Sequence, residues 1–592
     1  LSNETSLKDK TGDFLDLKLL SRIIGLAKPY KLQFGLAIAL TILLAVLLPL
    51  QPIIIQKTLD TYVANGDVPG LNKMLYLLLA LLFVQTLLLF FNTYLTNWLG
   101  QSVIKDMRLK VFDHISRLKV RFYDKTAVGT LVTRCVSDIE TIADVFAQGI
   151  ITIAGDLLQL TVITVFMLYT DWRLSLIVFS VLPVLIYASN IFRKGVKTAF
   201  QSVRTQVAAL NAFVQEHITG MSIVQIFNKE EEELEKFKSI NQLHLDANKK
   251  SIFHYAIFFP IVEIITATAV GLLVWYASRN ALDGKVTAGV MVSFILYINM
   301  FFRPIRLIAD RFNTLQMGMV AGERIFKLVD NQELIEVDGN HQSIIEGKVS
   351  FKNVSFSYET DKPVLKDISF LIEPGKTLAI VGSTGSGKST IASLITRLYD
   401  YQTGEICIDD IEIKEWELDS MRSQIAFVLQ DVFLFSGSIQ DNITLLNEGI
   451  TKEAMREATE SIGAEGFIES LEGAYQYNVQ ERGNSLSVGQ RQLISFIRAL
   501  AFNPKILILD EATSSVDSET EALIQKAVDR LMNGRTALVI AHRLSTIRNA
   551  DKIVVLEHGE IVESGSHEDL IQLNGRYAEM LNEHVLDVIE DE

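Results

Sequence analysis

The stretch Gly382-Ser383-Thr384-Gly385-Ser386-Gly387-Lys388-Ser389-Thr390 carries the most concentrated chemistry in the chain. It follows the apolar run LAIV and precedes IASLITRLY, so strand, glycine loop and helix come in that order. Glycines at this spacing, GxxxxGKS, let backbone N–H groups close on phosphate oxygens, and a helix starting at the loop adds the positive end of its dipole. Lys388 supplies a point charge for β and γ phosphates, and Ser389 a hydroxyl for Mg²⁺. The combination predicts nucleotide binding.

Two more stretches belong with this loop. KILILDE, at 505–511, reads as a buried strand ending in two acids. Beside a phosphate loop, Asp510 is placed to hold Mg²⁺ through water and Glu511 to polarise an attacking water. LSVGQ, at 486–490, opens the helix-like run RQLISFIRAL, about 100 residues after the loop. It is a second phosphate-seeking turn in the same chain, and it holds the bulky Val488.

Such groups need a rigid frame. VSFKNVSFSY, ISFLIE and LAIV read as strands between turns, and the phosphate loop sits where a strand feeds a helix. An α/β ATPase domain is expected over 347–582, after a polar linker at 326–346 and before an acidic tail at 583–592.

Residues 16–325 are different material, preceded by a polar tail at 1–15. A membrane-crossing helix needs about 20 mostly apolar residues. Six stretches qualify, at about 33–55, 74–104, 145–170, 174–192, 252–278 and 286–302. Connections after the first, third and fifth are short. Those after the second and fourth are long, amphipathic and rich in Lys and Arg, which places them and both termini in the cytoplasm. The helices should therefore continue far beyond the bilayer and turn around at tips, expected near 122–129 and 211–220. Pro49, Pro52, Pro183 and Pro260 are expected to kink or break their helices. Asp156, Glu263 and Arg303 are costly charges in this half. They read either as substrate or proton contacts or as internal pairs and end groups. Phe258, Phe259, Phe301 and Phe302 read as packing first and cavity lining second.

Composition bounds the rest. The 592 residues imply more than one domain, and 49% hydrophobic residues suit a chain that is half membrane protein. A net charge of −15 argues against nucleic acid as partner. Two cysteines, Cys135 and Cys407, suggest neither a disulfide framework nor a zinc site. The polar beginning of the sequence predicts no cleavable signal peptide.

Taken together, the motifs resemble an ABC transporter ATPase domain, and residues from about Leu17 to Leu581 resemble a half-size ABC exporter of the lipid and multidrug type. The resemblance implies the type I exporter fold: six transmembrane helices with long cytoplasmic extensions, joined to an α/β P-loop ATPase. Tyr358 matches the aromatic that stacks on adenine. Gln430, in FVLQDVFLF, matches the residue that senses Mg²⁺ and the helix tips. Ser487, Gly489 and Gln490 belong to the family signature, which binds the γ-phosphate of ATP held by another ATPase domain. Val488 stands where the family usually has Gly. Asp517 ends the loop crossing between two ATP sites, and His542, in IAHRLSTI, matches the switch histidine. The implied cofactors are ATP and Mg²⁺. The implied partners are a second half-transporter (a homodimer favoured by complete motifs on one chain, a heterodimer open), membrane lipids and a transported small molecule or lipid. The implied function is ATP-driven export or flipping of an amphipathic, lipid-like or drug-like substrate, with the bacterial cytoplasmic membrane as its place. A nucleotide-gated channel or regulatory membrane protein using the same engine is the alternative. An importer and a peptidase-coupled exporter are disfavoured.

Overall fold

The computed structural model describes residues 16–282, 286–336, 339–359, 362–510, 518–540 and 544–582. Glu511, Asp517, His542 and both expected tails lie outside the described residues. The chain forms two compact units. One takes the residues up to Ser116 together with Val128–Asn331, and the other takes Arg117–Ala127 together with the residues from Gln332 onward.

The first unit is helical. Among the described residues, six stretches are long and apolar enough to cross a membrane: Lys28–Val63, Val68–Ser116, Ile150–Thr170, Trp172–Thr219, Glu230–Ala281 and Ala288–Ile305. Each covers or overlaps an expected span. The 49-residue helix Val68–Ser116 is roughly 70 Å long at about 1.5 Å per residue, more than twice a hydrocarbon core of about 30 Å. Much of its apolar surface points out of the fold, with Phe83, Phe90 and Tyr94 exposed. That surface would be unfavourable in water and suits lipid.

The prolines act differently from one another. Pro49 precedes the helix Leu50–Lys57, which holds Pro52. Pro183 stands in the first turn of Leu182–Thr219, where a missing N–H is harmless. Pro260 stays inside the continuous helix Glu230–Leu282, so the expected break does not occur there. The second tip also lies further on than expected. Residues 211–219 are still helical, and the chain turns back between Gly220 and Lys229, with Asn228 in the left-handed region at φ 48°. Asparagine is among the few non-glycine residues that adopt this conformation readily. Glu230–Glu233 form the first turn of the next helix, where acids complement its dipole.

Phe258, Phe301 and Phe302 are core residues, and Phe258 stacks on Phe192 with centroids 3.9 Å apart. Phe259 is exposed. Polar contacts bind the sixth helix to the first. Tyr297 Oη donates to the Pro49 carbonyl at 3.0 Å. Asp60 accepts from Thr287 Oγ1 at 2.6 Å and from the Gly289 N–H at 2.8 Å. Asp156 is paired with Arg311, which sequence reading had not singled out, and Arg311 also reaches the Thr152 carbonyl at 3.4 Å. Glu263 and Arg303 are exposed on this unit.

The second unit is α/β. Its four-stranded antiparallel sheet has the order β2-β1-β4-β5, with β1 Val349–Glu359, β2 Lys362–Ile372, β4 Thr403–Ile408 and β5 Ile411–Glu412. The six-stranded sheet has the order β10-β9-β3-β8-β7-β6, with β3 Thr377–Val381, β6 Ile425–Val428, β7 Ile506–Asp510, β8 Thr536–Ile540, β9 Lys552–Glu557 and β10 Glu560–Gly565. The strands from β9 to β6 run parallel, and β10 is antiparallel to β9. TLAIV, ILILD and TALVI are apolar runs because a parallel sheet is covered on both faces.

The Asp156–Arg311 pair gives a test of this architecture. Removing either partner strands the other charge in a partly buried place, so Asp156→Ala and Arg311→Ala should each cost about 1–3 kcal/mol. Thermal unfolding in detergent should show the double variant losing less than the sum of the singles. Additive losses would mean that the two side chains do not act as a pair.

Candidate nucleotide site

The parallel strands end together, and ligands of such sheets bind at those carboxyl ends. β3 delivers its chain into the glycine loop. A Cβ built on Gly382 would lie 2.1 Å from the Leu556 carbonyl oxygen, and one on Gly387 would lie 2.6 Å from Leu365 Cδ2. Gly385 and Gly387 have φ of 82° and 108°, and Gly387 is the residue from which the helix Lys388–Ile395 starts. Glycine is needed here both for space and for backbone conformation.

Lys388 is 7% exposed. Its ammonium donates to the carbonyls of Gly382 at 2.8 Å and Ser383 at 3.0 Å, tying the loop together from within. Burial pushes this ammonium below the ordinary lysine range, and the Asp510 carboxylate opposes that shift. Ser383, Thr384 and Gly385 are exposed, whereas Ser386 Oγ is buried with no hydrogen-bond partner. A buried hydroxyl without a protein partner in this glycine loop fits a turn built to take an anion. Ser389 Oγ donates to Asp510 Oδ2 at 2.9 Å. Two oxygen ligands of the kind a hard divalent cation prefers are therefore already adjacent. Thr390 Oγ1 and Tyr358 Oη lie 3.2 Å apart.

Gln430 is exposed just beyond β6. Ser487 caps the helix Val488–Ala501 with a reciprocal box: its Oγ accepts from the Gln490 N–H at 3.2 Å, and Gln490 Oε1 accepts from the Ser487 N–H at 2.9 Å. The helical ladder begins with the Arg491 N–H on the Ser487 carbonyl, so the N–H groups of Val488 and Gly489 have no helical acceptor. Val488 is 49% exposed, so its methyl groups leave the cap undisturbed. Among the described residues, the side chains of Ser487 and Gln490 bond within this cap and not to the glycine loop.

The structure adds residues that no motif announced. Tyr358 meets Tyr399 edge to face at 5.0 Å, and Tyr399 Oη donates to Asp124 Oδ2 at 2.6 Å. Burial, aided by Asp124, pushes the Tyr399 phenol up. Asp124 belongs to the short helix Val120–Lys125, the first expected tip. Lys119, just before it, bridges Glu336 and Asp400, and its N–H donates to the Glu333 carbonyl at 2.9 Å. A cavity of about 250 Å³ lies among Lys119, Arg121, Tyr358, Tyr399 and Arg422. The helix Val120–Lys125 thus belongs to the same compact unit as the glycine loop.

A phosphate-binding unit on a chain with six helices able to cross a bilayer defines a multi-pass membrane protein powered by a nucleotide. Residues 34–305 match the ABC transporter transmembrane region, and residues 365–514 match the ABC transporter family. The chain is 39% identical over 579 residues to the ABC transporter ATP-binding protein YknV of Bacillus subtilis, covering 96% of this chain and 95% of that one. It is 38% identical over 518 residues to the probable multidrug resistance ABC transporter ATP-binding/permease protein YheH of Bacillus subtilis, covering 87% and 77%. It is 34% identical over 567 residues to the ATP-dependent lipid A-core flippase of Desulfotalea psychrophila, covering 95% and 99%. The chain belongs to the ABC transporter family. It is an integral membrane exporter that binds and hydrolyses ATP.

The close approach at Gly382 should be indispensable. Gly382→Ala is expected to weaken ATP binding at least tenfold, read by titration with a fluorescent nucleotide. Wild-type affinity would contradict the steric reading.

Proposed function

We propose that two copies of this chain form the working exporter and that its cargo is amphipathic, lipid-like or drug-like. The observation that carries the engine is the juxtaposition of Ser389 and Asp510 beside the buried Lys388. In this reading, backbone N–H groups from Gly382 to Thr390 hold the β and γ phosphates, and Lys388 exchanges its two carbonyl partners for phosphate oxygens. Ser389, Asp510 and Gln430 hold Mg²⁺, which neutralises developing phosphate charge. Tyr358 stacks on adenine. Glu511 orients and deprotonates the attacking water, and His542 contacts the γ-phosphate side of the site.

Ser487, Gly489 and Gln490 then serve the ATP of the partner chain, with the unpaired N–H groups at that helix start facing its γ-phosphate. Asp517 would serve the crossing between the two sites. This answers why one chain holds two phosphate-seeking turns: each copy completes its partner's site. The presence of both turns on one chain supports a homodimer. Relatives named for multidrug resistance and for lipid A-core flipping support the cargo class. Lys- and Arg-rich connections support a bacterial cytoplasmic membrane with the ATPase unit inside. Binding of ATP drives alternating access only because it stabilises the closed dimer more than the open one.

The test is Mg²⁺-dependent ATPase activity of the full chain in lipid nanodiscs, with a panel of lipids and amphipathic drugs. Glu511→Gln should keep ATP binding, lose at least about 99% of turnover, some 2.7 kcal/mol in barrier, and accumulate closed dimers. Wild-type turnover in this variant would remove Glu511 from its role. Chelation with excess EDTA should abolish turnover reversibly. Activity that survives chelation would rule out Ser389 and Asp510 as ligands of a required cation.

A further inference from the structure

Ten residues beyond Val488, the signature helix carries an arginine that the phosphate chemistry does not use. Arg498 is half-buried, and among the described residues it pairs with no carboxylate. Nε donates to the Asn442 carbonyl at 2.7 Å and Nη2 to the Phe433 carbonyl at 3.4 Å. Burial pushes its guanidinium down from the ordinary range.

Asn442 is 1% exposed and fully engaged. Its Oδ1 accepts from the Phe435 N–H at 2.8 Å, and its Nδ2 donates to the carbonyls of Phe435 at 2.8 Å and Ser438 at 3.1 Å. The side chain thus pairs with Phe435 as a neighbouring strand would. Leu434, between the two phenylalanines, is fully buried, and a Cβ on Gly483 would lie 2.9 Å from its Cδ1. Gly483 lies in the loop leading to Ser487, and Arg491 reaches back to the Leu486 carbonyl at 2.8 Å. Residues 433–442 are therefore held at two places: to the helix at Arg498, and to its leading loop at Leu434. Phe433 and Phe435 themselves are exposed, with ring centroids 5.1 Å apart, only three and five residues after Gln430.

We propose that Arg498 and Asn442 are positioning residues that make the segment after Gln430 and the helix start at Ser487 and Gly489 move as one body. This rests on the signature role proposed above. Arginine suits the task because its planar fork spans two carbonyls from different parts of the segment, which a lysine point charge cannot do equally. A rigid helix carries displacement along its axis, whereas an apolar side chain at 498 would leave the carbonyls of Phe433 and Asn442 without these donors.

The experiment uses the full chain in nanodiscs and compares Arg498→Gln, Arg498→Lys, Asn442→Ala and the Arg498→Gln/Asn442→Ala double variant. Steady-state ATPase assays give kcat and KM, fluorescent ATP titration gives affinity, and hydrogen exchange reads 433–442 and 487–491. The expected result is a kcat reduced at least tenfold in Arg498→Gln, with nucleotide affinity within threefold of wild type. Arg498→Lys recovers part of the rate, and the double variant is no worse than the poorer single. In Arg498→Lys the two segments should exchange faster together. A kcat within twofold of wild type, additive losses, or faster exchange confined to 433–442 would overturn the proposal. If Arg498→Gln fails to fold, the exchange pattern of Arg498→Lys decides on the same criterion. Ser487→Ala separates the two readings. Full turnover there overturns the signature role, whereas loss there with normal Arg498→Gln turnover overturns only the linkage.

Discussion

The nucleotide site is organised around one cation taken out of water. An ammonium with so little exposure is unfavourable unless its donors are met. Lys388 meets this demand with the carbonyls of Gly382 and Ser383, while the charge of Asp510 reaches it from the neighbouring strand system. The loop can present those carbonyls only if it doubles back under Leu556, which excludes any side chain at Gly382. Leu556 is in β9, beside β3, and Asp510 pairs in register with Ile540 of β8. The four parallel strands β9, β3, β8 and β7 thus bring these groups together near one lysine, and Ser389 and Asp510 lie within hydrogen-bond distance.

The two helix starts in this unit solve different problems. Gly387 gives the first helix no side-chain cap, so its leading N–H groups remain available inside a closed glycine loop. Ser487 caps the second helix and uses up one donor, but leaves the N–H groups of exposed Val488 and buried Gly489 without a helical acceptor. A capped, exposed start is stable without an anion. The valine at 488 leaves this cap intact because its side chain is exposed and not packed against it.

Most of the site was legible in the sequence because local chemistry dictates it. A glycine loop and an apolar strand ending in an acid each announce themselves within a few residues, whereas the reciprocal Ser487–Gln490 cap emerges only from the structure. The helical spans were legible for the same reason, since about 20 apolar residues in a row have few other uses. What escaped depends on chain segments far apart. Tyr399 and Asp124 are 275 residues apart, and Asp156 and Arg311 are 155. Neither pair leaves a periodic trace in composition. The second tip was placed too early because the amphipathic pattern runs smoothly to Thr219. The true signal was the single Asn228 ahead of four glutamates, a positive-φ turn feeding a helix start.

In the membrane unit several polar contacts share the sixth helix. Pro49, Gln56 and Asp60 from the first helix all meet the sixth, through Tyr297, Ser293, Thr287 and Gly289. Asp156 of the third meets Arg311 of the same helix, and Arg22 of the short helix Leu17–Gly25 reaches Asp330 at its end with two bonds of 2.8 and 2.9 Å. In lipid, a polar group that loses its partner finds no water in exchange. Displacing the sixth helix alone would therefore break several contacts at once. Moving it together with the first helix would preserve most of them. Polar contacts also hold the first helix to the second, where Thr41 Oγ1 lies 3.2 Å from Asn92 Oδ1 and Gln85 Nε2 donates to the Leu47 carbonyl at 2.8 Å, so the first helix cannot follow the sixth without straining that second seam.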